Sequence, residues 1–263
     1  MMPPTACSLR ITAPPQLDEE LRRRTRFGRL VHVTSCASTQ DLAAEQDPAG
    51  PQDLIVWADH QTQGRGRQRR TWDDEGGLDL AVTFRVQVTL PNPVALPAAL
   101  PVAVLDACEP LAGAALRIKW PNDVYAGERK LSGVLVDRDS ARPEVYRIGV
   151  GINVNRAHFP PDLDGKATSL RLLAGHEVDR SAVLLALADS VDAMLTAVSE
   201  GGDHRPHLDR FRERLGLLHR EVTVTAGSTM SGTLTDIDFE RLVLDGRHAV
   251  PLAIVTALAA TPS

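Results

Sequence analysis

Cysteine is scarce in this chain of 263 residues, and Cys7, Cys36 and Cys108 stand far apart without a metal-type spacing. That argues against both a disulfide framework and a zinc site. No uninterrupted apolar run approaches the roughly 20 residues that a membrane helix needs, so no membrane partner is expected. The opening MMPPTACSLR also lacks the apolar stretch of a secretory signal, and a cytoplasmic protein is expected. An excess of positive charge is missing too: 29 Lys and Arg against 34 Asp and Glu leave a net charge of -5. A surface that coats nucleic acid everywhere is thereby excluded, and any polyanion site must be local. What is present, 43% hydrophobic and 24% charged residues, is globular in character. The length suits a domain of about 200 residues with a small appendage, or two ordinary domains, and does not choose between them.

Residues 1–28 mix prolines with an arginine run and read as a lead-in too short for an independent domain. A strand is expected at 30–33, then a helix opened by Ser38, Thr39 and Asp41 that stops before Pro48. Residues 54–58 read as a buried strand, 59–77 as a long loop and 78–88 as another strand. The Ala- and Leu-rich stretch 94–116 predicts a buried helix whose regular part begins near Pro101. Strand-like runs at 116–120, 130–137 and 146–153 suggest an antiparallel meander, followed by helices over 181–198 and 204–215. From 221 to 258 the alternation EVTVTA, SGTLTDI, RLVLD, AIVTAL is broken by Gly227, Asp238 and Gly246. This is a small all-β unit that must pack on the main body to be stable.

Three segments carry chemistry. The loop Gly64, Arg65, Gly66, Arg67, Gln68, Arg69, Arg70, Thr71, Trp72 follows a strand. Its glycines permit close backbone approach, its guanidinium groups fit phosphate or carboxylate, and Trp72 can stack on a purine. A solvated basic loop is the plain alternative. In Lys119, Trp120, Pro121, Asn122, Asp123 the proline turns the chain out of a strand, leaving Asn122 and Asp123 at its end. The following Lys130, Leu131, Ser132, Gly133 opens a strand on which Leu131, Gly133 and Leu135 should share a face, with Gly133 leaving room for a ligand. Taken alone, Asn122 and Asp123 read as a turn former and Gly133 as a strand bulge. Gly149, Val150, Gly151, Ile152, Asn153 lacks the spacing of a dinucleotide fingerprint, although Asn153 could bond an adenine edge.

Taken in order, Ser38-Thr39-Gln40, Gln61, GRGRQRRTW from Gly64, KWPND from Lys119, KLSG from Lys130 and GVGIN from Gly149 resemble the biotin protein ligases. These show a Ser-Thr-Asn helix start, Gln, GRGRxGRxW, KWPND, K-L-[AS]-G and G-x-G-[IL]-N. The resemblance covers about residues 30 to 155 and implies an α+β fold with a mixed, mainly antiparallel sheet and helices, of the class II synthetase-like biotin/lipoate ligase type. It also implies a small SH3-like β-barrel at the C-terminus, so that the chain divides into 1–28, a catalytic domain 29–215 and an SH3-like domain 216–263. Gln40 departs from the usual Asn, and Arg69 stands where the family has the second loop glycine. The region before residue 29 is too short for the winged helix-turn-helix of repressor-type members, so no DNA partner is expected.

The resemblance implies ATP and biotin as substrates with Mg²⁺, a biotin carboxyl carrier domain of a carboxylase as partner, and a monomer or homodimer. Ser38, Thr39, Gln40 and Gln61 would hold the biotin head, with Arg65, Gly66, Arg67, Lys130 and Gly133 around the rest of it. Arg67, Arg70, Trp72, Lys119, Asn122, Lys130 and Asn153 would take ATP and the adenylate. Lys130, Arg65, Arg67, Lys119 and Asp123 would be catalytic, with Asp123 also a magnesium ligand. If the loop is mobile until biotin arrives, ATP binds weakly to the empty enzyme. A lipoate or octanoate transferase is the alternative within the fold, and a nucleic-acid module using the arginine loop is the alternative outside it.

Overall fold

The computed structural model describes residues 8–11, 14–46 and 53–261; Cys7 and Pro48 lie outside the described residues. The chain begins with β1 (Ser8–Ile11) and α1 (Pro15–Arg24), both within the N-terminal lead-in. Leu17 and Leu21 of α1 are buried in the main core. Next come β2 (Arg29–Cys36), α2 (Thr39–Glu45), β3 (Leu54–Gln61), β4 (Leu80–Gln87) and α3 (Ala95–Ala112). The strands β5 (Arg117–Lys119), β6 (Asp123–Ala126), β7 (Arg129–Arg138) and β8 (Val145–Ile152) form the expected meander, with one more strand than the sequence suggests. They complete an eight-stranded sheet of order β1-β2-β3-β4-β8-β7-β6-β5. Only β2 and β3 run parallel, joined by the α2 crossover.

The two faces of this sheet separate by the period of two along β3. Ile55 and Trp57 point into the main core, whereas Leu54, Val56 and Ala58 form a second cluster with Ala43 of α2. The main core is built on α3, of whose 18 residues 13 are buried. It packs against α5 (Arg180–Val198), and α4 (Leu170–Ala174) and α6 (Arg205–Leu215) flank it. The helix starts at Ala95, ahead of the expected onset near Pro101, and carries Pro101 and Pro110 in its interior. An interior proline removes a helical hydrogen bond; here burial of almost every turn outweighs that loss. By length and composition α3 and α5 could each cross a bilayer, yet 72% and 50% of their apolar windows are covered inside the fold, as in core helices.

The C-terminal unit is a second sheet: β9 (Glu221–Ala226), β10 (Ser228–Ile237), β11 (Arg241–Leu244), β12 (His248–Pro251) and β13 (Ala257–Ala260). Its order is β12-β11-β10-β9-β13, all antiparallel, and the end strands do not pair with each other. The expected barrel is therefore not closed. Both end strands are four residues long, and the segment between them turns toward the main sheet, where the Trp120 indole donates to the Val255 carbonyl at 3.2 Å. As expected for so small a unit, its core residues Val222, Leu234, Leu242 and Leu258 are continuous with the main core.

Candidate active site

Strand register lays a cross-strand row over the α2 side of the large sheet: Ala81 of β4 faces Gly151 of β8, which faces Gly133 of β7, then Asp123 of β6 and Lys119 of β5. Residues paired across strands lie on one face, so three small residues in succession leave a trough ending in a carboxylate and an ammonium. Above it is a cavity of about 340 Å³ walled by α2, the arginine loop and the Lys119–Asp123 turn. That volume lies within the range of small-molecule sites.

At one end of the trough the N-terminus of α2 supplies polar groups. Ser38 accepts from the Gln40 N–H, acting as the helix cap that the sequence predicts, and it also lines the cavity. The Thr83 hydroxyl donates to the Thr39 hydroxyl, and both the Thr39 hydroxyl and its N–H donate to Gln61 Oε1. This relay fixes the Gln61 amide. The Gln40 amide nitrogen donates to the carbonyls of Leu135 at 3.0 Å and Arg147 at 3.3 Å, which leaves its Oε1 buried and without a partner among the described residues. A buried acceptor left unpaired is costly, so a donor from a ligand is the natural complement. Gly149 makes this pose possible, since a Cβ there would lie 2.7 Å from Gln40 Nε2.

At the other end Lys130 Nζ meets Asp123 Oδ1 at 2.7 Å. A Cβ on Gly133 would be 3.2 Å from both atoms, so the room expected there for a ligand is the room this ion pair occupies. Leu131, expected on the same face, lies in the main core instead. The β6–β7 register shifts between Val124 and Tyr125, and such a bulge breaks the alternation on which the expectation rests.

The loop roofs the trough. Its Arg65, Gly66, Arg67, Arg70 and Trp72 all line the cavity. Gly64 is pressed against the Trp72 carbonyl, 2.3 Å from where a Cβ would be. The left-handed residue of the loop is Gln68, at φ 56°, rather than Arg69, the site of the family's glycine; the Arg69 side chain lies outside the described part. Arg65 bonds Asp41 of α2 at 2.8 Å and Asp137 of β7 at 3.2 Å, so this arginine is already engaged. Arg67, Arg70 and Lys119 make no ion pair among the described residues. Burial pushes the Arg67 guanidinium below its ordinary value, with Asp123 opposing. Lys119 Nζ lies 4.8 Å from the centre of the Tyr125 ring, and Tyr125 also lines the cavity.

Trp72 lies on Gly151, where a Cβ would come within 2.3 Å of its Cε2, and its buried Nε1 has no partner among the described residues. Asn122 lines the cavity but donates to the Val134 carbonyl at 2.6 Å. Asn153 is not among the lining residues: its amide donates to the Thr168 carbonyl at 2.9 Å, just beneath Lys130. Sequence reasoning missed Tyr125, Asp137 and Thr256; the last reaches the cavity from the C-terminal unit. Nothing local marks Thr256, because only tertiary folding brings it there. No group of three or more His, Cys, Asp or Glu suited to a metal occurs among the described residues, and Asp123 is paired with Lys130. A metal site built by the protein alone does not fit.

Residues 32–155 match the sequence model of the biotin/lipoate A/B protein ligase family. A biotin--[acetyl-CoA-carboxylase] ligase of Mycobacterium tuberculosis is 32% identical over 254 residues, 90% of this chain and 93% of that one. One from Paracoccus denitrificans is 37% identical over 83% of this chain and 96% of that one. The chain spans about half the length of the bifunctional ligase/repressors of Bacillus that it also matches. A biotin protein ligase from Aquifex aeolicus, solved in complex with biotin and ATP, superposes with a TM-score of 0.77 at 26% identity, over 89% of this chain and all of that one. With five motifs in order on one trough and full-length relatives above 30% identity, the chain belongs to the biotin protein ligases of the biotin/lipoate A/B protein ligase family.

Proposed function

We propose that this protein is an ATP-dependent biotin protein ligase, which joins biotin to AMP with release of pyrophosphate and then passes the biotinyl group to a lysine of a biotin carboxyl carrier domain. The observation that carries this reading is the polarity of the trough from end to end. One end offers the unpartnered Gln40 Oε1 beside Ser38, Thr39 and Gln61, a set that suits the N–H and carbonyl groups of a ureido ring. The other end offers Lys130, Arg67 and Arg70, which suit a carboxylate and a phosphate brought together. A polar head, a short stem and a terminal anion fit that order.

In the first step a carboxylate oxygen of biotin attacks the α-phosphorus of ATP in line, and the bond to the pyrophosphate oxygen breaks. Two anions must approach, so cations that are already in place lower the barrier. Lys130 serves both reactants, and Arg67 and Arg70 close over the phosphate. Magnesium would accompany the nucleotide as its counter-ion, held by the phosphates, and would offset their charge. Lys119, on its Tyr125 platform, faces the departing pyrophosphate. In the second step the carrier's lysine nitrogen attacks the acyl carbon, the bond to the phosphate oxygen breaks and AMP leaves. Asp123 orients the amine and accepts the proton released. The reading divides the chain into a catalytic domain, 29–215, with a C-terminal β domain, 216–263, and places the protein in the cytoplasm.

The test is exchange of labelled pyrophosphate into ATP, run with biotin, lipoate and octanoate. Exchange with biotin alone is expected. Exchange with lipoate or octanoate would move the protein to the other branch of the family, and none with any acid would overturn the adenylation reading.

A further inference from the structure

The arginine loop is tied down at its far end by a residue outside every sequence motif. Arg156, just past β8, is only 2% exposed and is the bulkiest of the fully buried side chains. Its Nε donates to Asp79 Oδ2 at 2.6 Å, its Nη1 to Asp73 Oδ2 at 2.9 Å and its Nη2 to the Asp73 main-chain carbonyl at 2.9 Å. Burial opposes the charge on this guanidinium, but Asp79 and Asp73 together hold it above its ordinary value.

A buried ion pair that serves only the fold would need no more than Arg156 and Asp79. Two features go beyond that. The Asp73 carboxylate is 58% exposed, and an ion pair with so exposed a partner adds only about 0–1 kcal/mol, too little to explain it as a stabilising element. The third bond goes to a main-chain carbonyl one residue beyond Trp72, so it fixes the course of the backbone instead of neutralising a charge. Trp72 needs such placement, because its ring lies against the bare Cα of Gly151 and Lys130 Nζ sits 5.7 Å from the ring centre. The end of β8 thus supplies the floor beneath the ring, and the chain just past it supplies the arginine that holds the loop beside it.

We propose that Arg156 is a positioning residue for the nucleotide half of the reaction, acting through the Asp73 main-chain carbonyl to hold Trp72 over Gly151 at the place where the purine stacks. The identity of the guest rests on the ligase reading; the positioning of the loop does not.

Two variants test this. Asp73→Ala removes only the exposed carboxylate: Arg156 stays paired with Asp79 and bonded to the main-chain carbonyl of residue 73, so the backbone tie survives and this variant isolates the side-chain pair. Arg156→Lys keeps the charge but loses the planar fork. In Arg156→Lys, amide hydrogen exchange over residues 64–72 is expected to quicken, while the KM for ATP in biotin-dependent pyrophosphate exchange rises about tenfold and kcat stays within about twofold; in Asp73→Ala loop exchange and KM are expected to stay near the parent values. The thermal midpoint of Asp73→Ala should match that of the parent. Unchanged loop exchange and unchanged KM in Arg156→Lys would overturn the proposal, as would an equal rise in KM in Asp73→Ala, or a fall in kcat with KM effects that track a lowered midpoint. A parent protein without biotin-dependent exchange would refute the ligase reading instead, and the hydrogen-exchange comparison would still decide the role of Arg156.

Discussion

The proposed chemistry turns on Lys130, whose ammonium lies 2.7 Å from Asp123 Oδ1 and 5.7 Å from the centre of the Trp72 ring. Lys130→Ala should reduce biotin-dependent pyrophosphate exchange by at least roughly a hundredfold, the size of effect seen when a single charge-stabilising group is removed. Circular dichroism should show the fold intact, and near-normal turnover would refute the role. Gly151 makes a second test. A methyl group there would lie well inside contact distance of the Trp72 ring, so Gly151→Ala should expel the ring, raise the KM for ATP about tenfold and cost about 1–3 kcal/mol from overpacking. Urea titration and steady-state kinetics measure the two effects separately. At this scale the sequence was most legible: of the fifteen site residues it nominates, all but Asn153 line the cavity. Asn153 is the exception because an amide has two polar ends, and nothing in GVGIN says whether they face a ligand or the backbone carbonyls of Thr168 and Lys130.

Among elements, α3 bears most of the core. Leu105 is fully buried within it, so Leu105→Ala should cost about 2–5 kcal/mol with little change in KM, read from denaturant midpoints beside kinetics. Its apolar character was plain in the sequence; its starting point was not, since local rules place helix onset at a proline whereas the burial of Ala95, Leu96, Ala98 and Ala99 rewards an earlier start. The arginine loop shows the reverse. No periodicity describes it, yet Arg65 is clasped by Asp41 and Asp137, and Arg156 anchors the far end. These partners are distant in sequence, and a charge on a loop carries no sign of which acid it will meet. The clasp is exposed and worth little alone, so the loop can still open, and calorimetry should find ATP binding weaker without biotin than with it. Equal affinities would refute that order.

For the whole molecule, the core runs without a break from Leu17 in α1 to Leu258 in β13. The C-terminal unit therefore shares the stability of the main body, and scanning calorimetry should record one transition with matching calorimetric and van't Hoff enthalpies. Two transitions would show that the sheets are energetically separate. The alternating segments after residue 221 disclosed a β unit, but closure into a barrel depends on how the end strands meet, and the Trp120 contact to Val255 draws their connection elsewhere. By itself the sequence determined most of the element types after residue 29, the order of the five motifs and the family, because period, capping and motif spacing are local properties of a chain. Only the tertiary structure decided that Gly133 shelters an ion pair, that a bulge turns Leu131 into the core, that Thr256 completes the cavity wall and that Arg156 braces the loop. Each of those depends on strand register and on contacts between residues far apart in the chain, which are settled when the sheets pack and not before.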